Sequence, residues 1–159
     1  MFDLESEHFD LIVAHPPCTY FSLAGNRWLH GEGGPERLER RADALAFWMR
    51  LWEAWPGTPR AFENPRGTIS TLFRKPDQTV FPWEFGDRPH KAVCLWLDGV
   101  PPLFRTGPLV EDDRIMVNGQ RWAKWYYESF SLPKAERAKA RSVFFPGIAN
   151  AMAAQWGTP

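Results

Sequence analysis

The residues best suited to chemistry are a thiol and a carboxyl group. Cys18 lies in the stretch Asp10 to Ser22, DLIVAHPPCTYFS, and Glu63 lies in Ala61 to Pro65, AFENP. A cysteine after two prolines is held by stiff backbone, and a nearby helix N-terminus can turn such a thiol into a nucleophilic thiolate. The ordinary alternative is a small buried hydrophobe. Glu63 is costly to bury without a partner, so it is either a working acid or the mate of an arginine such as Arg66. A Cys and a Glu ending two parallel strands form a more specific pattern than either alone, because ligands of open α/β sheets bind at the strands' carboxyl ends. His8, His15, Cys18 and His30 have metal-ligating side chains, but their spacings match no zinc pattern, and no metal is expected. Tyr20, Phe21 and Trp28 could stack on a flat ring. For at least two of the three, packing in the core or loop is the expected role.

The elements that must position these groups follow from apolar patterning. Leu11 to Ala14 is a short apolar run, which predicts a buried strand over 10–14, and Pro16 and Pro17 end it. Cys18 then sits just past the strand's carboxyl end. Residues 19–34 read as a long loop, of the kind that often carries function. Pro35 fits a first helical position, and the spacing predicts a helix over 36–54 with Leu38, Ala42, Leu45, Met49 and Trp52 on its buried face. Trp55-Pro56-Gly57 ends it, and residues 59–62 offer the next strand. Strand, helix and strand make a right-handed crossover. Arg66 to Phe73 reads as a short helix, 78–81 as a third strand, PWEFG as an aromatic turn, and 92–97 as the strongest later strand. Asn118-Gly119 suits a type I′ turn between strands at 115–117 and 120–122. Ser131 to Ala140 reads as a basic helix with Pro133 in its first turn, and Gly147 to Trp156 as a final helix.

Composition narrows the function classes. The chain has 159 residues, 44% hydrophobic and 24% charged, which suits one soluble domain, 1–159, with 106–142 as a small hairpin and helix appended to it. Formal net charge is zero, so no global basic field advertises nucleic acid. Charge is uneven: Asp3, Glu5, Glu7 and Asp10 are acidic, while Lys134, Arg137, Lys139 and Arg141 form a basic run that is either a solvated face or a phosphate contact. Nine Trp and twelve Phe serve a core, aromatic clamps, or both. Two cysteines make no disulfide framework, so a reduced cytoplasmic protein is expected. No apolar stretch reaches the roughly 18 residues of a membrane span, and no membrane partner is expected.

PPCTYFS followed by ENP resembles the cytosine-C5 DNA methyltransferases, most closely a short phage and prophage type. KPDQTVFPWEFG, HKAVCLWL followed by PPL, and RSVFFPGIANAMAAQW resemble the same type, so the likeness runs from Asp10 to Trp156. The resemblance implies that Cys18 adds to C6 of a cytosine flipped out of DNA. It implies that Glu63, with Asn64 beside it, holds the N3 and amino edge of the base. The methyl group would come from S-adenosylmethionine. Residues 19–34, with Ser22 among the substrate-binding residues, match the family's mobile loop. Arg88 and Lys91 stand where the family places a basic motif near the base, although their spacing departs from Gln-x-Arg-x-Arg, and an exposed strand edge is the other reading. Pro16, Pro17 and Asn150 would line the cofactor pocket.

The large departure is at the front. The family builds most of that pocket from strands ahead of the Pro-Cys motif, each βαβ unit taking about 30 residues or more. Ten residues precede Leu11, so no separate cofactor-binding domain is expected in this chain. The expected fold is α/β, a partial Rossmann-like methyltransferase sheet of about four mixed strands with flanking helices, 92–97 lying antiparallel between 59–62 and 78–81. Strand 10–14 would then be a hydrophobic edge, and a second chain or a homodimer contact is expected to cover it. Other readings are an inactive DNA- or partner-binding remnant and a phage enzyme modifying cytosine nucleotides.

Overall fold

The computed structural model describes residues 8–157 of the chain. The acidic residues Asp3, Glu5 and Glu7 lie outside the described residues. The fold is mixed α/β, and the chain divides into two compact units. The first takes in the chain through Thr79 together with Val93–Pro102, and the second takes in Val80–Ala92 and the chain from Leu103 on.

The first unit is built on a four-stranded sheet. Its strands are β1 (Ile12–Ala14), β2 (Arg60–Pro65), β3 (Gln78–Val80) and β4 (Val93–Asp98), in the order β1-β2-β4-β3. β1 runs parallel to β2, with Ala14 opposite Phe62, and β4 runs antiparallel to β2. The expected insertion of the fourth strand beside the second is therefore observed. β1 is only half-buried, because it ends the sheet among the described residues and Val13 stands 40% exposed. β2 does not stop at residue 62 but continues through Pro65, which pairs with Val93 at the ladder's end, where a missing N–H costs little. Glu63 and Asn64 are thus strand residues.

Helix α1 (Gly34–Glu53) crosses between β1 and β2, with Pro35 in its first turn. Its buried face is not the one the apolar spacing predicts. Leu38 and Met49 are exposed, and the helix is anchored by Trp48, which is fully buried. Ala44, Leu45, Leu51 and Trp52 pack around it. The face is rotated because Arg41 turns inward, its guanidinium donating to the Tyr20 carbonyl at 2.9 Å and to Asn26 Oδ1 at 2.6 Å. Trp48 meets Phe21, Phe62, Phe73 and Trp96 with ring centroids 5.2–6.2 Å apart, mostly edge to face. Buried Arg60 opens β2 and donates to the carbonyls of Trp52, Trp55 and Thr58, satisfying groups at and beyond the end of α1. A four-residue helix, α2 (Ile69–Leu72), follows β2 inside the stretch expected to be helical.

In the second unit, β5 (Arg114–Val117) and β6 (Gln120–Ala123) form the expected hairpin, with Asn118 and Gly119 both at positive φ as a type I′ turn demands. Helix α3 (Lys124–Glu128) follows the hairpin without a separate signal in the apolar pattern. The basic helix α4 spans Lys134–Ser142, later than expected, because Pro133 is its N-cap and Ser129–Ser131 forms a separate 3-10 turn. Arg137 turns back to the carbonyls of Ser129, Phe130 and Leu132, and Arg141 donates to Ser129 Oγ and lies over the Tyr126 ring. Only part of the basic run is therefore a solvated face. Helix α5 (Pro146–Trp156) starts with its Gly147 N–H on Asp87 Oδ2 at 2.7 Å, and Ile148, Ala151, Met152 and Trp156 are buried. Among the described residues no helix is long and apolar enough to cross a membrane.

The aromatic centre generates a stability prediction. Trp48→Ala should cost about 3–5 kcal/mol in urea unfolding. Trp48→Phe should cost clearly less, because the indole N–H it removes is buried without a partner.

Candidate active site

Two strand ends and the loop after the first build the site. β1 ends at Ala14, and the chain passes His15 and the two prolines to Cys18. Parallel pairing puts Ala14 opposite Phe62, so the residues that follow each, His15 and Glu63, come side by side. His15 Nδ1 lies 3.1 Å from Glu63 Oε2. Glu63 is 8% exposed, whereas the His15 side chain is 43% exposed. The partner of Glu63 is therefore His15 rather than the expected candidate Arg66, which is exposed.

The second tie is made by Asn64. Its amide nitrogen donates to the Pro16 carbonyl at 2.7 Å and to the Glu63 carbonyl at 3.0 Å, while its Oδ1 is buried without a protein partner. Asn64 is 1% exposed and locks the backbone between β1 and Cys18 onto β2. The Cys18 carbonyl then accepts from the N–H groups of Phe21 and Ser22 at 3.0 and 3.1 Å, forming a tight turn. Downstream of Glu63, Thr68 donates its N–H to the Phe21 carbonyl at 2.8 Å, and Ser22 bridges Gly67. Gly67 is required there, because a Cβ would strike the Phe21 carbonyl. The chain around Cys18 is thus bonded to the stretch from Asn64 to Thr68 both before and after the thiol.

The two thiols differ. Cys18 is half-exposed; Cys94 is 2% exposed, and burial pushes its thiol up despite the Thr79 hydroxyl 3.7 Å away. Only Cys18 has the access that a nucleophile needs. Of the three aromatic residues after it, Phe21 is core, Tyr20 is half-buried, and Trp28 stands 60% exposed. The loop is not irregular throughout, since Leu23–Leu29 forms a 3-10 helix.

The remaining candidates divide by unit. Ser22 belongs to the turn just described. Arg88, Lys91 and Asn150 belong to the second unit. There the Lys91 ammonium donates to the carbonyls of Arg141 and Val143 and lies near the Trp125 and Phe145 rings, so it closes the end of α4. Arg88 is exposed beside a cavity of about 470 Å³ shared with Asp112, whose carboxyl the Arg114 guanidinium holds below its usual range. Asn150 is exposed on α5. Among the described residues no three metal-ligating side chains cluster.

The prolines do not by themselves make a cofactor pocket. Pro16 is buried with its carbonyl taken by Asn64, and neither proline has an N–H to offer. Pro17 borders a cavity of about 440 Å³ walled by Tyr20, Ala44 and Phe47, with Asp43 as its one carboxylate. β1 ends the sheet among the described residues, so no strand-to-helix glycine turn lies beside it to receive a nucleotide cofactor. These residues fit at most one wall of a site for S-adenosylmethionine.

No protein-family model matches this chain, and no curated protein matches it at a significant level.

The site makes two predictions. A limiting thiol reagent should modify Cys18 and leave Cys94 untouched in the folded protein, as peptide mass spectrometry reads out; modification of Cys94 first would contradict the burial contrast. Asn64→Ala should cost about 1–3 kcal/mol by stranding the Pro16 carbonyl. Asn64→Asp should cost more, because a carboxylate then faces that oxygen.

Proposed function

We propose that this chain is the catalytic part of a DNA (cytosine-5) methyltransferase that works with a second polypeptide, or a second copy, completing the cofactor pocket. The observation that carries the reading is the double tie between the two motifs, Asn64 to Pro16 and His15 to Glu63. It brings the segment bearing the accessible thiol against the strand bearing the buried carboxyl group, at the carboxyl ends of adjacent parallel strands.

In this reading the target cytosine leaves the base stack, since neither group can reach it inside a duplex. The Cys18 thiolate adds to C6, and the electron pair of the C5–C6 double bond makes C5 nucleophilic. Glu63 holds the N3 and exocyclic amino edge and offsets charge as the adduct forms; His15 fixes which way that carboxyl group points. Asn64 holds the backbone leading to Cys18. At the end the C5 proton and Cys18 depart, restoring the double bond and the thiolate. S-adenosylmethionine is the methyl donor that the resemblance implies, and the reading assigns most of its binding to the second polypeptide. The half-exposed edge of β1 is where that polypeptide would dock.

Addition at C6 also lets the C5 hydrogen exchange with water, which gives a test needing no methyl donor. DNA carrying tritium at cytosine C5 should release it to water in the presence of this protein. Cys18→Ser should bring release down to the protein-free background, and Glu63→Gln should slow it about 10²–10⁴-fold. DNA binding without any release would favour a non-catalytic binding protein. Release from dCMP but not from DNA would favour an enzyme acting on nucleotides.

A further inference from the structure

A cavity of the first unit lies outside the Cys18 and Glu63 pair. It has a volume of about 730 Å³ and is formed between the loop after Cys18 and the first turns of α1. Its character is cationic and aromatic. Arg27, Arg37 and Arg40 face it, with Tyr20 and Trp28, against the carboxylates of Glu32 and Glu36. Glu36 is already bonded to Arg40 at 2.5 Å. Arg27 and Arg37 are in no ion pair among the described residues, whereas Glu32 is the cavity's other acid.

Three details show that this cation set is built into the fold. Arg37 lies over the Tyr20 ring, its Cζ 5.3 Å from the centroid, and donates to the Thr19 carbonyl at 3.0 Å. Its Nε is buried without a protein partner, a cost normally avoided. Gly25 leaves the space that this guanidinium fills, since a Cβ there would strike it. Arg41 beside it is pushed down by burial and by repulsion from Arg37, a like-charge strain that a bound anion would relieve. Trp28 offers the complementary surface. Arg27 covers one side of its indole at 4.8 Å, and the residue is still 60% exposed. An exposed aromatic plane set among arginines is the pattern on which unpaired nucleotides stack and place their phosphates.

We propose that this cavity binds an unpaired nucleotide, its base stacked on Trp28 and its phosphate held by Arg27 and Arg37. The choice of ligand rests on the reading of Cys18 as acting on a nucleobase, because Tyr20 in the cavity wall is two residues from that thiol. The site would hold a neighbour of the target in a single strand, giving the protein a preference for unpaired over duplex DNA. A free nucleotide offers the same chemistry, and the test separates the two.

The test reads binding, not turnover. A labelled single-stranded oligonucleotide, its abasic counterpart, its duplex and dCMP as competitor are titrated against the whole chain. Trp28→Ala should weaken the oligonucleotide about 5–100-fold and leave the abasic strand unchanged. Arg27→Gln should weaken both and lower the salt slope by about 0.7. Arg50→Gln, at an exposed position in the last turn of α1, should change neither. Competition by dCMP as strong as by the oligonucleotide, with the same response to the variants, would identify the free nucleotide as the ligand. No binding by the wild-type chain, indifference to Trp28→Ala, or an equal loss with Arg50→Gln would overturn the proposal. Cys18→Ser should bind normally, so failure of the chemistry and failure of this site are told apart.

Discussion

The arrangement depends on one buried amide. Asn64 gives its N–H to the Pro16 carbonyl and so ties the stretch between β1 and Cys18 to β2. A proline-rich connection has few N–H groups with which to hold itself in place. Its carbonyls must be satisfied by something else, and a strand residue that is 1% exposed does so without solvent competition. Fixing Pro16 fixes the path to Cys18, while the preceding residue on β2, Glu63, is held by His15. The aromatic cluster around Trp48 then backs the same strands, so the loop turn at Phe21 and the strand at Phe62 belong to one packed body.

The pairing of buried and exposed partners has chemical consequences. A carboxyl group that is 8% exposed next to a more accessible imidazole has a fixed orientation. The two thiols show the same logic in reverse. Cys94 lies in the core cluster and its burial disfavours the thiolate, whereas Cys18 is reachable from solvent. Position in the sheet, rather than residue type, separates an accessible cysteine from a buried one.

Much of the fold was legible in the sequence because it rests on local signals. Pro35, Trp55-Pro56-Gly57 and Asn118-Gly119 mark a helix start, its end and a hairpin turn by backbone stereochemistry alone. The buried face of α1 was not, because Arg41 counts as polar yet points inward, shifting the apparent apolar stripe away from Trp48. The extent of β2 is masked for a similar reason: a Glu, an Asn and a Pro read as a strand's end but continue its ladder. At the site, Cys18 and Glu63 stood out by type. The contact between His15 and Glu63 did not, since it follows only once β1 and β2 are paired in parallel with Ala14 opposite Phe62. That register was the missing signal. The double role of Asn64 was hidden too, because one residue type can serve a base or a backbone carbonyl equally well.

The central claim is that the Cys18 sulfur reaches C6 of a cytosine held by Glu63. It is tested most directly with DNA in which 2-pyrimidinone replaces cytosine, a ring that accepts a thiol at C6 and retains it. Digestion and mass spectrometry should then find the nucleoside attached to the peptide containing Cys18, at a yield that falls sharply in Glu63→Gln. An adduct on Cys94, or none at all from a protein that demonstrably binds the DNA, would contradict the account.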